Sequence, residues 1–227
     1  MYVTLPTEPA FPAASLPMRG SPKRRAAFQR TLRCAEGHTL FYEGDEAEMI
    51  YQIKSGVVRL TRVLENGRRQ VISFGLPGDF VGFPDGDRHH SDCEIIAPAE
   101  FIAHSRRALE SGEGNVETHR RLLHAALQEI SAMQDHFMML ARKSAMEKVA
   151  SFLLVLSQRT GIGFGAQLAV SLPMSRADIA DFLGLTIETV SRCFSQLRKD
   201  GVIVLDTPQS VRVRDAAALR RAALSTE

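Results

Sequence analysis

The sequence predicts an α+β chain in three parts: an N-terminal antiparallel β-roll, one long helix, and a C-terminal winged helix-turn-helix. Residues Leu32 to about Arg107 form short β-rich runs broken by glycines. Val116 to Leu140 repeats apolar residues every seven positions. Ser175 to Gly201 reads as two short capped helices around a glycine, with a hairpin pattern behind them. The expected boundaries are a disordered tail over 1–27, the roll over 28–112, the long helix over 113–142 and the winged helix-turn-helix over 143–227.

The tail holds five of the ten prolines, Pro6, Pro9, Pro12, Pro17 and Pro22, with small residues between them, a composition that builds no core. In the roll, Gly37, Gly44, Gly56, Gly67, Gly75, Gly78 and Gly82 separate strand candidates such as Met49–Ile53, Val57–Val63 and Gln70–Phe74. Asn66-Gly67 between two such runs is the strongest local hairpin signal. The loop containing His89, His90 and Cys93 has ligand-type side chains but no second pair to close a zinc site, so it reads as a polar surface loop.

In the long helix, Val116, Leu123, Ile130 and Phe137 occupy one heptad position, and His119, Ala126, Met133 and Leu140 the other. A single helix with such a seam needs a partner, and a second copy of the chain is the expected one. The register stops at Ser144, where a further helix with apolar Met146, Val149, Leu153 and Leu156 begins.

Ser175 with Asp178 three residues on is a capping-box pattern, Gly184 ends the first short helix, and Thr186 caps the second. In the second helix Ile187, Val190, Phe194 and Leu197 fall in one stripe, and Glu188, Arg192, Ser195, Gln196 and Lys199 lie opposite. Arg presents a fork to guanine, and Glu accepts from cytosine, so this outward face is suited to reading bases. Val202–Leu205 and Val211–Val213 then form a hairpin wing, with Arg212 and Arg214 placed for phosphates. Ser175, Arg176, Thr186, Thr189, Ser195, Lys199 and Arg212 are the candidate phosphate and supporting contacts.

Composition agrees. Residues 1–33 carry a net +5, residues 34–142 a net −6 and residues 143–227 a net +3, an asymmetry suited to a nucleic-acid-binding module attached to one that avoids phosphate. No apolar run is long enough for a membrane span, and no compact apolar leader opens the chain. Three scattered cysteines argue against a disulfide framework, and the expected location is the cytoplasm. Cys193 has two readings: a redox-sensitive thiol next to Arg192, or a small residue at the core's edge.

The stretch LTIETVSR resembles the recognition helix of the CRP/FNR superfamily of transcription regulators, in its FNR-like branch. YQIKSGVVRLTRVLENGRRQVISFGLPGDFVGF is similar to the superfamily's cyclic-nucleotide-binding-like roll, closest to the FixK type. The resemblance implies double-stranded DNA, a second copy of the chain and RNA polymerase as partners. It also implies a palindrome of the form TTGAT-N4-ATCAA, with Glu188 and Arg192 on the G·C pair and Ser191 at a neighbouring thymine. An activator for low-oxygen respiration or nitrogen fixation is the implied role, with no cofactor, no metal and no enzymatic activity.

Cyclic-AMP receptors carry a glutamate where Phe83 follows Gly82 here, and DGDRHHSDC stands where they hold an Arg-Ser pair. Arg88 is the sole cation of that segment, among Asp85, Asp87 and Asp92. An iron–sulfur cluster of the FNR kind requires cysteines near the N-terminus, and none precedes Cys34. Two alternatives differ in class: a sensor of the same superfamily whose roll takes a small effector, and a metalloenzyme built on the His/Cys loop. The second lacks any recognisable nucleophile or acid–base pair.

Overall fold

The computed structural model describes residues 30–111, 116–163 and 168–224. The expected tail over 1–27 lies outside these residues.

The roll is one antiparallel sheet. β1 (Arg30–Cys34), β8 (Asp92–Ser105), β3 (Met49–Val63) and β4 (Arg69–Gly75) are neighbours in that order; β2 (Thr39–Phe41) pairs with β8 and β5 (Phe80–Val81) with β3. The two runs expected on either side of Gly56 are a single strand, β3, whose pairing with β8 shifts register between Ile53 and Val58. Gly56 makes that bulge. Its φ is +84°, and a Cβ there would lie 2.3 Å from the Pro98 carbonyl oxygen, so neither the conformation nor the space admits a side chain. The Asn66-Gly67 hairpin joins β3 to β4: Asn66 Oδ1 accepts from Arg68 N–H at 3.0 Å, and Gly67 has φ +76°.

The DGDRHHSDC segment is only partly a surface loop: Asp87, Arg88 and His90 are exposed, but His89 and Cys93 are buried. β6 (Pro84–Asp85) and β7 (Arg88–His89) form a small hairpin, which folds His89 onto Phe41 with ring centroids 3.8 Å apart. Cys93 lies within β8 and is fully buried. Among the described residues no group of three or more His, Cys, Asp or Glu is placed to hold a metal ion.

The short α1 (Arg106–Glu110) leads towards the long helix α2 (Val116–Arg142), and α3 (Ala145–Thr160) follows at once. Ser144 and Glu147 form a full capping box at the start of α3, as the broken heptad predicts. α3 is apolar around most of its circumference and is the central element of the C-terminal module. Against it pack β9 (Leu168–Ser171), α4 (Arg176–Leu183), α5 (Ile187–Lys199), β10 (Ile203–Thr207), β11 (Ser210–Val213) and α6 (Ala216–Ala223). The hairpin of β10 and β11 is completed by β9 into a three-stranded sheet, order β10-β11-β9. Neither β9 nor α6 was expected from the sequence.

α2 has two unlike faces. His136 and Met139 are buried towards the C-terminal module, with His136 stacked on Phe182 of α4 at 4.3 Å, and Leu140 packs against the same core. Val116, Leu123, Ile130, Met133 and Phe137 are at least half exposed, as are Leu127 and Met138. Among the described residues no helix is long and apolar enough to cross a membrane.

Burial pulls the His136 imidazolium down from 6.5 to about 4. The unfolded chain then binds one more proton than the native one between these values. Stability is therefore full above about pH 6.5 and falls as pH drops towards 4. His136→Phe keeps the stacking surface and is expected to flatten that part of the stability–pH curve in urea titrations.

Candidate nucleic-acid interface

Each helix of the helix-turn-helix is set by its own local chemistry. Ser175 Oγ accepts from Asp178 N–H at 3.0 Å and donates to Asp178 Oδ2 at 2.7 Å, while Asp178 Oδ2 accepts from Ser175 N–H at 3.1 Å. Gly184 closes α4 at φ +62°, and Leu185 N–H reaches back to the Ala180 carbonyl at 2.9 Å. Thr186 caps α5 by accepting from Thr189 N–H at 3.1 Å, and the two threonine hydroxyls lie 2.8 Å apart. Gly201, φ +71°, ends α5.

The inner face of α5 is Val190, Cys193, Phe194 and Leu197, all buried. Its outer face carries Glu188 and Arg192, whose side chains are 72% and 78% exposed and joined by a 2.5 Å ion pair. This pair spans one helical turn and holds acceptor and fork side by side. Ser191, Ser195 and Lys199 are exposed on the same helix. Ile187, expected in the buried stripe, is 54% exposed beside Glu188. At the first position of α5 it lies before the stripe engages the core, and its apolar end suits a thymine methyl. A fringe position at a helix start was the signal for this, and the periodicity hid it.

The supporting residues divide. Ser175 is exposed at the start of α4, with its hydroxyl used in the cap. Arg176 is half-buried, its guanidinium 3.7 Å above the Phe194 ring, so it braces α4 on α5 rather than standing free. Arg212 on the wing is ion-paired to Asp206 at 2.6 Å. Arg214, Arg198, Arg220 and Arg221 add exposed cations to this module.

The electrostatics of the roll are different. Between it and α2 lies a cavity of about 290 Å³ whose walls include Phe41, Leu60, Ile72, Phe80, Ala126 and Met133. Among the described residues its charged lining side chains are the carboxylates Asp79 and Glu129, and no described Lys or Arg is among its walls. Burial pushes the Glu129 carboxyl up. Arg88, the cation singled out in the sequence, donates instead to the Gly44 carbonyl at 2.6 Å. These residues do not fit a cyclic nucleotide, because the nearby Arg159 is already paired with Asp79 and the phosphate would face the Glu129 carboxyl.

Residues 147–222 match the Crp-like helix-turn-helix domain family and residues 31–111 the cyclic nucleotide-binding domain family. The chain is 40% identical over 189 residues to the nitrogen fixation regulation protein FixK of Azorhizobium caulinodans, covering 82% of this chain and 76% of that protein. It is 34% identical over 188 residues to the transcriptional activator protein FnrL of Cereibacter sphaeroides, covering 81% and 76% respectively. Among solved structures, FixK2 from Bradyrhizobium japonicum superposes with a TM-score of 0.79 at 34% identity, over 88% of this chain and all of that one. A cyclic-nucleotide-type roll joined to a winged helix-turn-helix defines a class of DNA-binding transcription regulators. This chain belongs to that class as a member of the CRP/FNR family, as the residues of its recognition helix implied.

Cys193 lies in the core at 7% exposure, and burial raises its thiol pKa. That is the reverse of an activated thiolate. In native protein Cys193 is expected to react with Ellman's reagent far more slowly than Cys34, which is only half-buried. Peptide mapping of the first labelled thiol checks the order.

Proposed function

We propose that the protein is a homodimeric activator that reads an FNR/FixK-type palindrome, TTGAT-N4-ATCAA, with one recognition helix in each half-site. The observation that carries this reading is the exposed Glu188–Arg192 pair on α5. Glu188 and Arg192 take the G·C pair and Ser191 and Ile187 the neighbouring bases. Ser175, Thr186, Thr189, Ser195, Lys199 and Arg212 serve the sugar–phosphate backbone, and Arg176 supports them through Phe194. Arg212 gives up Asp206 for a phosphate on docking.

The second copy packs along α2 through Val116, Leu123, Ala126, Ile130, Met133 and Phe137. Five of these are large apolar side chains at least half exposed in one chain, a seam that water penalises and a second helix covers. Leu140 sits at the junction, where it already packs on the C-terminal core. The functional division is a roll over 28–112, a dimer helix over 113–142 and a DNA-binding module over 143–227. FixK and FnrL are named for nitrogen fixation and transcriptional activation, and this chain takes the corresponding place in the cytoplasm, in low-oxygen or nitrogen-fixation control, working through RNA polymerase.

The cavity between roll and α2 favours a second reading, a sensor whose small apolar effector fills that space. Fluorescence anisotropy of purified, additive-free protein on the palindrome separates the two: tight specific binding supports the first, and binding only after an added effector supports the second.

Arg192→Ala is expected to cost about 1–3 kcal/mol on the palindrome and to relax preference at its G·C pair; equal weakening on scrambled DNA would remove Arg192 from base reading. Ile130→Glu with Phe137→Glu places charges on the seam and is expected to convert the dimer to a monomer in analytical ultracentrifugation. Palindrome affinity should fall with it.

A further inference from the structure

The C-terminal module is tied to the roll at several points, and one of them grips the start of α4, the first helix of the helix-turn-helix. The Asp178 side chain is 4% exposed. Besides its two capping contacts with Ser175, it meets Arg59 Nη1 of β3 at 2.5 Å and Arg69 Nη2 of β4 at 2.9 Å. Glu94 of β8 stands behind both arginines, accepting from Arg59 Nε at 3.1 Å and lying 3.9 Å from Arg69 Nη1. At the far end of α4, Gln70 of β4 donates to the Asp181 carbonyl. One strand hairpin of the roll thus holds the first DNA-binding helix at both ends.

A capping box needs only its hydroxyl and its acid, so the cap alone gives no reason for two guanidinium groups to converge on Asp178 from another part of the chain. Burial would by itself raise the Asp178 carboxyl, yet the bonds from Ser175 and the Arg59 charge hold it below the ordinary range. Two guanidinium groups that arrive from different strands on one buried carboxylate oxygen, Asp178 Oδ1, hold it from two directions, unlike a single exposed ion pair. α5 follows α4 as a unit, through Arg176 on Phe194 and the shared core.

We propose that Arg59, Arg69 and Asp178 are positioning residues for DNA recognition: they set the angle at which the roll presents the helix-turn-helix, and so the half-site spacing a dimer accepts, without touching DNA. This rests on the dimeric reading above. The dimer seam lies on α2, while the reading face lies on α5, and the clamp joins the roll to α4 between them. One base pair of spacer shifts a half-site by about 3.4 Å and turns it by roughly 35°. The angle set by the clamp is therefore directly expressed in which spacer is bound. With the clamp removed, the bidentate Arg159–Asp79 pair, at 3.1 and 2.7 Å, and the packing of Phe74 on Phe152 and Phe182 still attach the module to the roll.

The test compares the full-length chain with its triple variant Arg59→Met, Arg69→Met, Asp178→Asn, which removes the clamp with the Asp178 charge and leaves Glu94, a side chain one-third exposed to water, without its arginines. Anisotropy is measured on TTGAT palindromes with the N4 spacer, with spacers one base pair shorter and longer, and on a duplex with one half-site. The parent chain is expected to prefer one spacer by about tenfold or more, the scale of one mismatched base pair. In the variant that preference should shrink to about twofold, with affinity for the single half-site changed by less than about threefold. Arg69→Lys keeps the charge and should keep the preference.

Spacer preference as sharp in the variant as in the parent overturns the proposal. So does an equal loss on every duplex, which would make the clamp structural only. If the parent shows no spacer preference, the dimeric reading fails first and the clamp with it. Should the triple variant, in which Glu94 also loses both arginines, lack a cooperative melt by circular dichroism, Arg69→Gln, at a side chain 38% exposed, takes its place on the same duplexes. A narrowed spacer preference in that variant supports the clamp, and an unchanged one overturns it.

Discussion

The packing of Phe74 is the constraint on which the arrangement depends. This β4 side chain is fully buried, but its ring lies against Phe152 of α3 and Phe182 of α4, with centroids 6.2 and 5.2 Å away. With Val71 and Leu76, also from the roll, it belongs to the same apolar core as the helices of the C-terminal module. The roll therefore has a core of its own around Ile53, Val58, Ile95 and Phe101 and a second, shared one beneath the DNA-binding module. Truncating a buried aromatic of this kind costs on the order of 3–5 kcal/mol. The apolar contact thus supplies attachment, while the flanking ion pairs supply direction, because an apolar contact is tolerant of rotation, whereas two arginines converging on Asp178 Oδ1 and the bidentate Arg159–Asp79 pair are not.

Local signals were legible in the sequence where the chemistry is itself local. Ser144 with Glu147, Ser175 with Asp178, Gly184, Thr186 and Gly201 all do what their residue types dictate, because a cap or a left-handed turn is decided within four residues. The Asn66-Gly67 hairpin belongs to the same group. The failures involve distant partners. Gly56 reads as a break until Pro98 and Ala99 appear across the sheet and turn it into a bulge. β9 is four residues long and becomes a strand only because β11 offers an edge. α6 is short, only eight residues, and it is fixed by α3 and by Lys143, whose Nζ donates to the Ala223 carbonyl at 2.8 Å.

The candidate site shows the same division. The exposure of Glu188 and Arg192 is readable because a face opposite an apolar stripe is a matter of angle alone, whereas Ser191, at the stripe's margin, is singled out by the family resemblance. Ile187 was misplaced because the stripe was extended by one position beyond the point where α5 meets the core. Arg176 carries the charge of a phosphate contact, but stacking on Phe194 occupies it. Asp178 was read as a cap and is one, yet its larger electrostatic role depends on arginines 119 and 109 residues away in sequence, which no local pattern announces.

α2 links these features because its two faces answer to different neighbours. His136, Met139 and Leu140 are turned to the C-terminal module, and Val116, Leu123, Ile130 and Phe137 are not. A helix of 27 residues is about 40 Å long, so a seam along it is comparable to one turn of DNA. Whatever covers the exposed face is joined through one rigid element to the face that touches Phe182, and Phe182 belongs to α4. The path from the seam to α4 runs through the stack of His136 on Phe182. The same helix is held from the roll by Arg59 and Arg69 at Asp178, so α4 meets both the long helix and the sheet.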